Sequence, residues 1–80
     1  MENNIAVVAI MVKEVNAVEK INGLLHNFSE YIVGRMGIPY RQRNVNVISV
    51  VMDAPQSVIN SLSGKLGMIE GVSSKVLTAK

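Results

Sequence analysis

Few side chains in this sequence are of the kinds that do chemistry, and their spacing narrows the chemistry they can do. The chain holds one histidine, His26, and no cysteine, so a disulfide or thiolate clamp is excluded and an all-protein zinc site is not expected. His26 stands beside Asn22 and Glu30 at four-residue spacing, off the apolar arc of its helix. It reads as a surface histidine whose functional alternative is a ligand-facing group at an inter-subunit cleft. Ser29 has no second histidine or base near it in sequence to activate a nucleophile. Gly64-Lys65 lacks the earlier glycine of a phosphate-binding loop, since position 59 is isoleucine, and the pair falls inside a helix instead of before one. Arg41 and Arg43 sit in a polar turn and read as solvated charges. These signals point away from an enzyme and toward binding, with no cofactor and no metal expected.

The elements that carry these residues follow from hydrophobic periodicity. Ile5 to Val12 is an uninterrupted apolar run rich in β-branched residues, which predicts a strand apolar on both faces. Asn16 and Glu19 stand in the relation of a capping box, and Val18, Ile21, Leu25 and Phe28 then recur at three- and four-residue spacing, predicting the first helix. Gly23 inside it implies close packing or a slack helix. Tyr31 to Gly37 predicts a second, shorter strand interrupted by Gly34, with Gly37 to Asn44 as a turn around Pro39. Val45 to Met52 predicts a third strand with Val45, Val47 and Val51 on one face and Ile48, Val50 and Met52 on the other. A second helix starts within Asp53 to Gln56, carries Val58, Ile59, Leu62 and Leu66 as its stripe and ends at Gly67; Val72 to Ala79 then closes the chain as a fourth strand.

The order βαββαβ contains two strand-helix-strand crossovers. Right-handed connections then lead to an α+β, ferredoxin-like sandwich, an antiparallel sheet in the order 4-1-3-2 with two helices on one face. The most apolar runs, strands one and three, occupy its centre, and the strands bearing glycines and charges occupy its edges. One domain over residues 1–80 is expected. With 49% hydrophobic residues, so short a chain cannot hide its apolar surface alone. The second face of strands one and three is therefore expected to pack on another copy, making a homo-oligomer, dimer or tetramer.

Composition excludes several classes. A net charge of +2 spread without blocks gives no footprint for nucleic acid or a membrane surface. RNA-binding sandwiches need aromatics on their central strands, and none stand there. Acylphosphatase-type chemistry needs an arginine in the first strand-helix loop, and Lys13-Glu14-Val15 offers none. The Ile5 to Val12 run is too short to cross a bilayer and follows Glu2 instead of a basic region, so a cytoplasmic protein is expected.

Leu24-Leu25-His26-Asn27-Phe28-Ser29-Glu30, Gly37-Ile38-Pro39, Leu62-Ser63-Gly64-Lys65-Leu66-Gly67 and Gly71-Val72 together resemble the iron-only hydrogenase system regulator family over essentially the whole chain. The resemblance implies an ACT-like sandwich, similar to the ligand-binding domain of the nickel-responsive repressor. That repressor's nickel site uses several histidines and a cysteine, so it is not carried over to a chain with His26 alone. Its DNA-binding arm has no counterpart either, since the first strand is expected to begin at residue 5. What the resemblance implies is a regulatory module sensing a small-molecule effector or a partner protein. ACT-like sensors hold ligands beside the loop after strand one, which makes Lys13, Glu14 and Asn16 the candidate ligand-binding residues, with His26 as a fourth. The competing account is a purely structural association module, in which Asn16 only caps its helix and the two charges solvate a turn.

Overall fold

The computed structural model describes residues 2–79. Strand β1 (Asn3–Val12) is followed by helix α1 (Ala17–Asn27), strand β2 (Ile32–Tyr40), strand β3 (Val45–Pro55), helix α2 (Gln56–Gly67) and strand β4 (Val72–Ala79). The four strands form one antiparallel sheet in the order β2-β3-β1-β4, which is the expected 4-1-3-2 counted from the other edge. Among the described residues no helix is long and apolar enough to cross a membrane.

The two-residue alternation of the central strands determines which side chains enter the core. Ala6, Val8, Ile10 and Val12 of β1 and Ile48, Val50, Met52 and Ala54 of β3 are all buried, and the register sets Val8 opposite Val50 and Ile10 opposite Ile48. Onto this face α1 lays Ala17, Ile21 and Leu25, and α2 lays Ile59, Leu62 and Leu66. These spacings keep each set on one helix face. Fully burying a side chain such as Leu62 contributes about 1.5–3 kcal/mol.

The opposite face carries the other half of the same strands and has no helix over it. Ile5, Val7 and Met11 of β1, Met36, Ile38 and Tyr40 of β2 and Leu77 of β4 are exposed, Met36 at 60% and Leu77 at 75%. The register joins them into rows, Leu77–Val7–Val51 and Met11–Val47–Ile38.

Several local expectations are corrected. The capping box does not form: Asn16 has right-handed helical backbone angles and makes no side-chain cap bond. The amides of Ala17 and Val18 instead donate to the carbonyls of Glu14 (3.0 Å) and Val15 (3.2 Å), so a tight turn satisfies the first two amides of the helix. Strand β1 begins at Asn3, before residue 5. Strand β2 starts after Tyr31 and runs on through Pro39 to Tyr40; it is an edge strand, where a proline's missing N–H can face away from the ladder. The turn shrinks to Arg41–Asn44, closed by Asn44 in the left-handed region (φ 51°). Finally, β3 runs past the expected Met52 to Pro55, while α2 starts at Gln56, within the expected Asp53 to Gln56; the Gln56 side chain accepts from Asn4 and donates to Asn60, both at 2.9 Å.

Candidate functional site

Antiparallel pairing brings three chain segments to one end of the sheet. Val12, the last residue of β1, pairs with Asn46 near the start of β3 and with Val72, the first residue of β4. The loop Lys13–Asn16 after β1, the turn Arg41–Asn44 before β3 and the connection entering β4 at Gly71 must therefore converge.

The loop is held from below by Gly71. The Lys13 amide donates to the Gly71 carbonyl at 2.9 Å. Gly71 itself has φ +81°, and a Cβ built on it would lie 2.7 Å from Glu14 Cβ, closer still to Glu14 Cγ, and 3.3 Å from the Glu14 nitrogen. Both the backbone conformation and the close approach require glycine. Gly71 thus lets Glu14 pack directly over the entrance to β4 and fixes the path of the chain into α1.

Between this loop and the turn lies an open cleft of about 490 Å³, within the size range of small-molecule sites. Lys13, Glu14 and Asn16 line one side, and Tyr40, Arg41, Asn44 and Asn46 line the other, with Val12, Val15 and Val45 as the apolar part of the lining. Two cations, one carboxylate and three side-chain amides can together engage a polar or anionic group, and the valines and the Tyr40 ring can take an apolar portion. Because the first amides of α1 are used within the loop, recognition here rests on side chains and not on free helix-terminal donors.

The structure brings Lys13, Glu14 and Asn16 together and leaves His26 elsewhere. His26 lies near the far end of α1, ~15 Å along the helix axis from Asn16 at 1.5 Å per residue, and lines a separate groove of about 340 Å³ between α1 and β2. Among the described residues no group of three or more His, Asp or Glu side chains could hold a metal ion. Sequence reasoning missed Arg41 and Tyr40 as neighbours of Lys13. The signal was present in the expected strand order, because placing strand three beside strand one sets its leading turn next to the loop that follows strand one.

Uncharacterized protein TM1266 from Thermotoga maritima is 40% identical, superimposes with a TM-score of 0.94 and is covered over 100% of its length by 99% of this chain. A formyltetrahydrofolate deformylase from Pseudomonas putida KT2440 matches with a TM-score of 0.61 at 14% identity, over 92% of this chain and 28% of that one; at that identity the likeness is one of fold. No curated protein matches the sequence. Residues 4–76 match the family TM1266-like, described as "Iron-only hydrogenase system regulator, putative". With that match and the whole-length similarity to TM1266, the chain belongs to the TM1266-like family of iron-only hydrogenase system regulators.

Proposed function

We propose that this chain is a cytoplasmic regulatory module of the ACT-like, ferredoxin-like kind, which self-associates through its uncovered sheet face and takes a small effector in the cleft beside the Lys13–Asn16 loop. It acts by binding and not by catalysis, and serves the iron-only hydrogenase system named for its family. One observation carries the reading. Tyr40 and Val45, paired across β2 and β3, belong to the uncovered face and also line the cleft. A second copy seated on that face abuts the cleft, so occupancy and assembly are coupled in one structure. An effector that prefers the assembled state strengthens association by that preference and by no more.

A thermal-shift screen of small organic acids, amino acids and nucleotides tests this, repeated on Lys13→Ala, Asn16→Ala and Arg41→Ala. A ligand at 100 times its Kd adds about 2.7 kcal/mol, or about 10–20 °C in a domain this small. A hit that raises the melting temperature of the parent and loses most of its effect in Lys13→Ala and Arg41→Ala supports the reading. If no compound shifts the parent, or a hit shifts the variants equally, the cleft is not an effector site. The purely structural association module then stands.

A further inference from the structure

We propose that the groove between α1 and β2 is a second binding site, for the oxyanion of a small phosphorylated or carboxylated molecule. The observation behind it is an arginine where the architecture elsewhere places apolar residues. Arg35 pairs in register with Val50, whose side chain is fully buried beneath the helices. Residues opposite one another on antiparallel strands share a face, so Arg35 projects to the helix side of the sheet, toward α1. The neighbouring core-side positions on β3 and β1 are Ile48, Met52, Val8 and Ile10.

What places Arg35 there is the irregularity between Ile32 and Gly34, where the pairing of β2 with β3 shifts register. A bulge of this kind inserts a residue and re-aims the side chains beyond it. Ile32 still pairs with Met52 and packs against the core; past the shift, Gly34 pairs with Val51 on the uncovered face and Arg35 takes the next helix-side position. The groove of about 340 Å³ lies along this stretch, lined by Ile32, Gly34 and Arg35 on one side and by α1 on the other.

Its polar lining consists of Arg35, His26, Asn22 and Ser29, over an apolar floor of Leu25 and Ile32. Asn22 and His26, four residues apart on α1, face the same way, and Ser29 follows where the helix ends. Each of these side chains can donate: the guanidinium as a planar fork, the imidazole from at least one ring nitrogen, the amide and the hydroxyl. No carboxylate lines the groove. Among the described residues, Arg35 takes no part in the side-chain hydrogen bonds, which join Asn4, Gln56 and Asn60. Donors without a carboxylate, led by an arginine, match the planar or tetrahedral oxygens of a carboxylate or phosphate. This site shares no lining residue with the Lys13–Asn16 cleft, so the two stand or fall separately.

The test is a titration of the full-length, ¹⁵N-labelled protein with inorganic phosphate, and in a second arm with acetate, at ionic strength held constant with sodium chloride. The expected result is saturable shifts of the amides from Asn22 to Ser29 and from Ile32 to Arg35. Arg35→Gln should weaken binding about tenfold, as loss of one charge-assisted fork implies, and His26→Ala should weaken it less. Arg41→Gln, in the other cleft, should leave it unchanged. Tighter binding of phosphate assigns a phosphorylated ligand, and tighter binding of acetate a carboxylated one. Absence of saturable shifts with either anion overturns the proposal, as does equal affinity in the parent and in an Arg35→Gln variant whose spectrum retains its native dispersion.

Discussion

Gly71→Ala is expected to destabilise the protein through two separable effects. At φ +81° an L-residue costs roughly 1–2 kcal/mol more than glycine. The new Cβ also falls 2.7 Å from Glu14 Cβ and closer to Cγ; the Cγ can turn about χ1 but the Cβ is fixed by the backbone, so relief requires a shift of the Lys13–Asn16 loop, at about 1–3 kcal/mol by analogy with overpacking. The total is about 2–5 kcal/mol, roughly 10–30 °C in melting temperature for a domain of this size. The same substitution in a Glu14→Gly background keeps only the backbone share. Urea unfolding followed by circular dichroism at one fixed protein concentration, across the four members of the cycle, should give a coupling of about 1–3 kcal/mol. A Gly71→Ala cost below about 0.5 kcal/mol, or the same cost in both backgrounds, refutes the packing described for this loop.

Gly23→Ala should stabilise by about 1 kcal/mol, because Gly23 is exposed within α1 and a Cβ built there meets nothing within 4 Å; a melting temperature unchanged or lowered would contradict this. Asn44, at φ 51°, should tolerate glycine within about 0.5 kcal/mol and lose about 1 kcal/mol as alanine, read by urea unfolding; equal effects of the two would remove the left-handed turn from the account. Val51→Lys places a charge in the row Leu77–Val7–Val51 of the uncovered face, and light scattering should find the variant at monomer mass while circular dichroism stays native. A variant that elutes at the parent's mass would show that association uses another surface.

The sheet was legible in the sequence because its signal is local and repeated. Val47, Val51 and their alternates Ile48, Val50 and Met52 divide between the two faces as a two-residue period requires, and β4 spans Val72–Ala79 as expected. The glycine ending α2 was equally plain. What was not legible depended on neighbours distant in sequence. Asn16 and Glu19 carry the spacing of a capping box, yet Asn16 already has helical backbone angles and makes no side-chain cap bond. Pro39 looks like a strand breaker until β2 is known to be an edge. For the site, Lys13, Glu14 and Asn16 do share a cleft, but Arg41 joins them only through the pairing of β1 with β3, and the need for glycine at position 71 arises from Glu14, across the fold. His26 proved to belong to a different groove from the loop, because α1 carries it to the opposite end.

The central claim is that the uncovered face of the sheet is an association surface whose assembly bears on the neighbouring cleft. The most direct test is the mass of the full-length protein in solution, measured by light scattering coupled to size exclusion at micromolar concentration. The account predicts a dimer or tetramer, at least twice the chain mass of 8.7 kDa. A monomer under those conditions would contradict it and leave Val7, Met36, Ile38 and Leu77 without a physical reason to be apolar.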